Sequence, residues 1–385
     1  MGTRLVKYMG SKQSLLANGL GELVVAQSRS VARVIDLFSG AGAITWHAAE
    51  HAPLPVLAVD LQHYSKALAE AVILRTSAVA PGVVEDEWLG PAGRRLHRSK
   101  LWRMASGMSR RGLTGATVRT AREVCEEPSS IGPIWNAYGG FYYSPAQAIA
   151  FDYLRATVPE DHVLRSLCIG VLVIAASRCA ASPGHTAQPF RPTDTALRYI
   201  EASWGRSPFD VIRKVLPDVA RRAAMMPGRA VVGDALGVAA TTSERDLVIV
   251  DPPYSAAQYS RFYHVLETVA RGECGPVQGA GRYPPMEERP QSDYSKRSTA
   301  HRAVHDLLRT LGERGARVIV TFPQVGASNG IDGEELIGIA SEWYLVDVTV
   351  TNSRFSTLGG NGRDRSSRRQ GVELVLSLSP RTKRR

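Results

Sequence analysis

Seven short apolar runs punctuate the chain: VARVIDLF (31–38), PVLAVD (55–60), AVVGDAL (230–236), DLVIVD (246–251), ARVIVTF (316–322), WYLVDVTV (343–350) and VELVLSL (372–378). Each is nearly continuous in valine, isoleucine and leucine rather than alternating with polar residues. That pattern predicts strands covered on both faces. Helical patterns lie between them. SKALAEAVILRTSA (65–78) follows the second run, with Ser65 placed to cap it, and STAHRAVHDLLRTLGERG (298–315) precedes the fifth and ends on Gly315. Alternating strand and helix predicts an α/β fold with a mainly parallel sheet. The last two runs have no long helix between them, which predicts antiparallel pairing at one edge.

The rhythm breaks between about 81 and 229. That region holds an arginine-rich stretch, then NAYGGFYYSPAQAIAFDYLRA, an apolar helix near 163–180, and SPGHTAQPFRP. It reads as a mostly helical insertion, 81–227, into a unit formed by 1–80 and 228–385. The apolar run LCIGVLVIAA (167–176) is too short to span a bilayer and predicts a core segment. The aromatic stretch 135–145 is either core or part of a recognition surface.

Composition narrows the class. The chain has 385 residues, 44% hydrophobic and 22% charged, ordinary values for a globular protein with a substantial core. Its N-terminus has no long apolar segment of the secretory kind. Cys125, Cys168, Cys179 and Cys274 form no CxxC pair, so the sequence predicts neither a disulfide framework nor a zinc site, and fits an intracellular compartment. No metal-ligand cluster and no membrane partner are expected.

Charge adds a partner. Lys+Arg exceed Asp+Glu by 47 to 36, a formal +11, and basic proteins meet polyanions, nucleic acid first. From Pro91 to Arg122 there is no acid, while Arg94, Arg95, Arg98, Lys100, Arg103, Arg110, Arg111, Arg119 and Arg122 are present. Such a stretch is a solvated face or a phosphate-tracking surface. The preference for arginine over lysine has a second source in the codons of a GC-rich genome. A further basic group, RDRSSRR with the tail PRTKRR, lies near the C-terminus.

Candidate chemistry sits at strand ends. VIDLFSGAGAITWHAA joins a strand to a helix through Gly40 and Gly42, a turn suited to close ligand approach at a helix N-terminus. The spacing is neither GxGxxG nor a P-loop. Asp36 ends the first strand and Asp60 the second. A carboxylate facing an ammonium and another facing ribose hydroxyls suit S-adenosylmethionine better than NAD, with Asp234 a third acid near the adenine. Asp251, Pro252, Pro253 and Tyr254 close the fourth strand. Prolines cannot continue a central strand, so this motif must sit at its carboxyl end.

KYMGSKQSLL (7–16), DLFSGAG (36–42) and VDPPYS (250–255), in that order, resemble the Dam-like class of adenine-specific DNA methyltransferases. The resemblance covers about 1–80 and 228–385. It implies a Rossmann-like methyltransferase fold with an inserted target-recognition domain at 81–227. The segment Tyr8, Gly10, Ser11 and Lys12 would lie against the cofactor, S-adenosylmethionine, with Phe38, Gly40 and Gly42 binding it. Asp251, Pro252, Pro253 and Tyr254 would be catalytic, acting on the N6 amine of adenine in double-stranded DNA. The implied setting is restriction–modification or a related defence system, with a cognate restriction endonuclease as a possible partner; the sequence leaves the oligomeric state open, and a monomer is the default expectation. The insertion is larger and more basic than the compact recognition domain usual in that class. Methylation of cytosine at its exocyclic amine, an RNA methyltransferase, and an inactive DNA-binding protein of the same fold are the alternatives. In AAQYSRFYHVLETV, the residues Tyr259, Arg261, Phe262, Tyr263 and His264 are candidates for a base pocket, for the DNA groove or for core.

Overall fold

The computed structural model describes residues 6, 12–108, 112–127, 130–356 and 368–381. Tyr8, Gly10, Ser11, Arg110, Arg111, positions 357–367 between the last two runs, and the final four residues lie outside the described residues.

All seven apolar runs form strands: β1 (Arg33–Asp36), β2 (Val56–Asp60), β3 (Arg229–Val232), β4 (Asp246–Val250), β5 (Arg317–Pro323), β6 (Tyr344–Ser356) and β7 (Arg368–Pro380). They make one sheet in the order β3-β2-β1-β4-β5-β7-β6. The first five pair in parallel. β7 runs antiparallel between β5 and the outermost β6. The Rossmann-like expectation holds, and the antiparallel pairing falls at the predicted edge.

β4 is buried throughout because both of its faces are covered. Leu247 and Ile249 pack with Val24, Ile44 and Ala48, whereas Val248 and Val250 pack with Leu307 and Leu308 of the helix Ala300–Glu313. The chain winds from β1 outward through β2 and β3, and from β4 outward in the other direction. The strand order therefore reverses between β1 and β4, which opens a crevice at their carboxyl ends.

The helix after β2 spans His63–Ile73, starting two residues before Ser65, so Ser65 is no N-cap. Its hydroxyl donates instead to the carbonyl of Gly40 at 2.7 Å. The helix before β5 ends as expected, with Gly315 in the left-handed region at φ 74°.

Positions 81–220 are mostly helical. Their core contains Trp88, Trp135, Tyr138, Tyr142, Tyr143 and Phe151, so the aromatic stretch 135–145 is interior rather than a recognition surface. The same core takes in Leu68 and Val72 of the helix His63–Ile73 and Val265, Leu266 and Val269 of the helix Tyr259–Arg271. Its central helix, His162–Cys179, is long and apolar enough to cross a membrane, but 72% of it is buried inside the protein. In the arginine-rich stretch, Ala92 and Leu96 face inward from the helix Gly90–Arg98, leaving Arg94, Arg95 and Arg98 exposed. Arg122 is different. Its guanidinium donates to the carbonyls of Gly140 and Phe190, each at 3.1 Å, and lies 4.6 Å from the Phe141 ring centre, so it is a packing residue.

Helices His162–Cys179 and His63–Ile73 cross at Gly170, where an added Cβ would lie 2.5 Å from that of Ala71. Gly170→Val should therefore cost about 1–3 kcal/mol through overpacking, read as a lowered midpoint in urea unfolding. An unchanged midpoint would show that the crossing has slack.

Candidate active site

The crevice between the carboxyl ends of β1 and β4 widens into a cavity of about 370 Å³. Lys12, Asp36, Phe38, Gly40, Asp60, Asp234, Asp251, Pro252, Pro253 and Tyr254 all line it. Of the residues expected at the site, Gly42 stands one turn back as the left-handed N-cap of the helix Ala43–His51, and Tyr8 is outside the described residues.

The glycine turn is built around two carboxylates. Asp36 ends β1 and accepts from the Thr45 hydroxyl at 2.6 Å and the Phe38 amide at 3.3 Å. Burial pushes its carboxyl up to about 7, against those hydrogen bonds, and the nearby Asp251 and Asp60 carboxylates add to the rise. Asp60 ends β2 and reaches across the turn, accepting from the Gly40 amide at 2.9 Å and the Gln62 amide at 3.0 Å. Burial raises it too, with these donors opposing. A carboxylate accepts about four hydrogen bonds, so Asp36, with two donors, keeps acceptor capacity toward the cavity. Asp234 caps the short helix Ala235–Ala239 through the Gly237 amide at 3.0 Å and is exposed at the cavity's far end.

The β4 end is organised by charge. Lys12 Nζ lies 3.0 Å from Asp251 Oδ1 and 2.6 Å from Glu373 Oε1, with side chains 4%, 18% and 5% exposed respectively. Thr321 also donates to Asp251 Oδ1, at 2.7 Å. Burial alone would lower the Lys12 ammonium; the two carboxylates reverse that and hold it above the ordinary lysine range. Burial raises the Asp251 carboxyl, and Lys12 and Thr321 pull against the rise. Tyr254 is pushed up to about 12 by burial and stays a neutral phenol.

The backbone after Asp251 is pinned selectively. Asn329 donates to the carbonyl of Pro253 at 3.0 Å, and the amides of Ser328 and Asn329 donate to that of Tyr254 at 2.9 and 3.3 Å. Among the described residues nothing donates to the carbonyl of Pro252, a residue that lines the cavity. Asn329 also holds the carbonyl of Tyr294, whose ring meets Phe38 edge-on at 5.0 Å. Gln258 clasps the same strap through both backbone groups of Ser292, at 2.9 and 3.2 Å.

Of the residues after the motif, Tyr259 lines the cavity, whereas Phe262, Tyr263 and His264 are buried. His264 faces the carbonyls of Gly281 and Arg261 at 2.9 and 3.1 Å, burial pushes it down to about 4, and it packs among Tyr138, Tyr142 and Tyr283. That makes it a structural histidine.

Several site residues gave little sequence signal. Glu373 interrupts the apolar run VELVLSL, and an acid inside a doubly covered strand is the one hint it offers. Glu267, pushed up to about 7 by burial, accepts from the His63 and Tyr64 amides at 3.0 Å each, steadying the helix that follows Asp60. Thr45, Thr321, Asn329 and Gln258 act through contacts no local pattern reveals.

Comparison with known proteins agrees with this geometry. Residues 8–84 match the family model of the D12 class N6 adenine-specific DNA methyltransferases. The chain is 31% identical to Modification methylase StsI of Streptococcus sanguinis over 133 residues, 34% of this chain and 19% of that protein. It is 40% identical to Modification methylase LlaI of Lactococcus lactis subsp. lactis over 142 residues, 36% of this chain and 22% of that protein. The match thus spans about a fifth of the length of these relatives.

Removing the shared cation strands two acids. Lys12→Ala should cost about 3–5 kcal/mol at neutral pH, since breaking a buried pair leaves uncompensated charge. Asp251, which burial raises and Lys12 no longer lowers, then binds its proton more tightly folded than unfolded, so the deficit should shrink as pH falls below neutral. Urea unfolding at neutral and mildly acidic pH reads this; a deficit that grows on acidification would contradict it.

Proposed function

We propose that this chain is an S-adenosylmethionine-dependent methyltransferase acting on the N6 amine of adenine in double-stranded DNA, in a restriction–modification setting with a cognate endonuclease. Residues 1–80 and 228–385 form its catalytic part, and 81–227 recognise the target. The observation that carries the reading is the end of β4, where Asp251 and Pro252, whose carbonyl accepts no hydrogen bond from the described residues, line one cavity with Phe38, Gly40 and Asp60. The matched family and the modification-methylase relatives point the same way.

The cavity residues fit the cofactor. About 370 Å³ lies within the range of small-molecule sites. Asp60 suits the ribose hydroxyls and Asp36 an ammonium, while Phe38 and Tyr294 offer apolar walls. When bound, S-adenosylmethionine supplies a methyl group on a sulfonium for direct displacement by nitrogen.

The chain's own residues prepare that nitrogen. An exocyclic amine is a poor nucleophile because its lone pair is delocalised into the ring. Asp251 takes one N–H and the Pro252 carbonyl the other, which favours a tetrahedral nitrogen with an available lone pair. Pro252 and Pro253 fix φ, and Asn329 with Ser328 fixes the following carbonyls, so the acceptor is aimed before the base arrives. Tyr254 offers a face for an extruded base. The surplus proton leaves to solvent after transfer, and the main contribution is alignment.

Two results test this. Asp251→Ala should lower methyl transfer from labelled cofactor to duplex DNA by about 100-fold or more, while DNA and cofactor affinity persist; transfer at the parental rate would overturn the assignment. Because Asp36 sits near 7, cofactor affinity should rise between roughly pH 5.5 and 7.5 as its carboxylate ionises. Calorimetric titration should show that rise, and Asp36→Asn should flatten it. A flat profile in the parent would remove Asp36 from the ammonium.

A further inference from the structure

We propose that Arg261 and Arg289, both held on the ring of Tyr283, form a clamp for backbone phosphates of the DNA beside the candidate active site. The proposal rests on the DNA reading above.

The platform is built before the cations are added. Gln278 and Tyr283 close a tight turn, exchanging amide-to-carbonyl hydrogen bonds of 2.8 and 2.9 Å. Inside it Arg282 adopts φ 54°, the left-handed region that a non-glycine residue occupies only under constraint. The constraint is visible: its guanidinium donates to the carbonyls of Ala137 and Asn136 at 2.8 and 3.0 Å and covers the Phe141 ring at 4.3 Å. Tyr283 follows directly. Its hydroxyl donates to the carbonyl of Ala187 at 2.6 Å, its ring lies 5.0 Å from that of His264, and Gly281 packs beneath it with no room for a Cβ.

Two guanidiniums lie on this ring, Arg261 at 5.1 Å and Arg289 at 5.3 Å from its centre. Nearby cations have acids: Arg271 pairs with Glu273, Arg282 with Glu126 and Lys296 with Asp293. Among the described residues neither Arg261 nor Arg289 has a carboxylate within ion-pair distance. Glu288, next in sequence to Arg289, faces the Gly275 amide instead. Both positive charges bear on His264 and help to keep it neutral.

Two like charges gathered on one ring, without a counter-ion, form an incomplete arrangement that an anion completes. Guanidinium suits phosphate because it donates in a fork, and stacking removes freedom that binding would otherwise cost. Position selects the anion. Arg261 follows Ser260 and Arg289 precedes Pro290, and both of those neighbours line the cavity. Arg261 is exposed and Arg289 half-buried, so the pair opens to the surface on the Arg261 side. A base entering between Tyr254 and the Asp251–Pro252 pair would leave its flanking phosphates outside the cavity, whose lining includes the residues adjoining both arginines. Contacts of this kind set register and carry no sequence information.

The test is fluorescence anisotropy on labelled duplex DNA across a salt series, with the parent, Arg261→Gln, Arg289→Gln and the double variant. Each single change should lower the slope of log affinity against log salt by about 0.9 and weaken binding several-fold near 0.1 M salt, equally on unrelated sequences. Cofactor binding, measured in parallel, should be unchanged and reports an intact fold. Arg261→Lys should fall between the parent and Arg261→Gln, because it keeps the charge but not the planar stack. If the parent binds and methylates DNA while the double variant keeps the same affinity and slope, the clamp is wrong and the function stands. If the parent binds no duplex DNA, the function and the clamp fall together.

Discussion

One buried ammonium joins three distant parts of this chain. Lys12 comes from the N-terminal segment, Asp251 from the end of β4 and Glu373 from the interior of β7, and they meet at 3.0 and 2.6 Å. Two carboxylates share a single cation, so removing Lys12 would leave both acids unmatched in a poorly solvated place. The arrangement explains why an acid is tolerated within the apolar β7. It also fixes the orientation of Asp251, since Lys12 and Thr321 both engage Oδ1. The end of β4 is placed by this network as much as by the prolines.

Around that point the backbone is sorted into held and free acceptors. Asn329 and Ser328 satisfy the carbonyls of Pro253 and Tyr254, whereas no described residue donates to that of Pro252. The same Asn329 reaches Tyr294, and Gln258 grips Ser292, so the wall facing Phe38 is tied to the turn carrying Asp251. On the opposite side, Asp60 bridges the glycine turn and Glu267 steadies the helix behind it. The helix supplying Glu267 also carries Arg261 outward. One element thus serves the cavity, the interior of the inserted helices and the surface beside the cavity mouth.

The strands were legible in the sequence because strands buried on both faces leave continuous apolar runs, and all seven were found, although their order in the sheet was not. Strand ends were legible for the same reason, since Asp36, Asp60 and Asp251 stand where those runs stop. Helix boundaries were less so: Ser65 looks like a cap, yet its hydroxyl belongs to the glycine turn. The insertion's aromatic stretch could be read either way, because aromatic residues serve cores and recognition surfaces alike; burial decides for core. Glu373, Thr321 and Asn329 were missed because each acts across more than 60 positions of sequence. Arg261 was a candidate from sequence, but its meeting with Arg289 was hidden, since that depends on where one tyrosine is held.

The central claim is that the acceptor pair at the end of β4 receives the amine of adenine. Nucleoside mass spectrometry of duplex DNA incubated with this protein and S-adenosylmethionine addresses it directly. The account predicts N6-methyladenine in the digest and no methylated cytosine. N4-methylcytosine in its place, or unmodified DNA from protein shown to bind the cofactor, would contradict it.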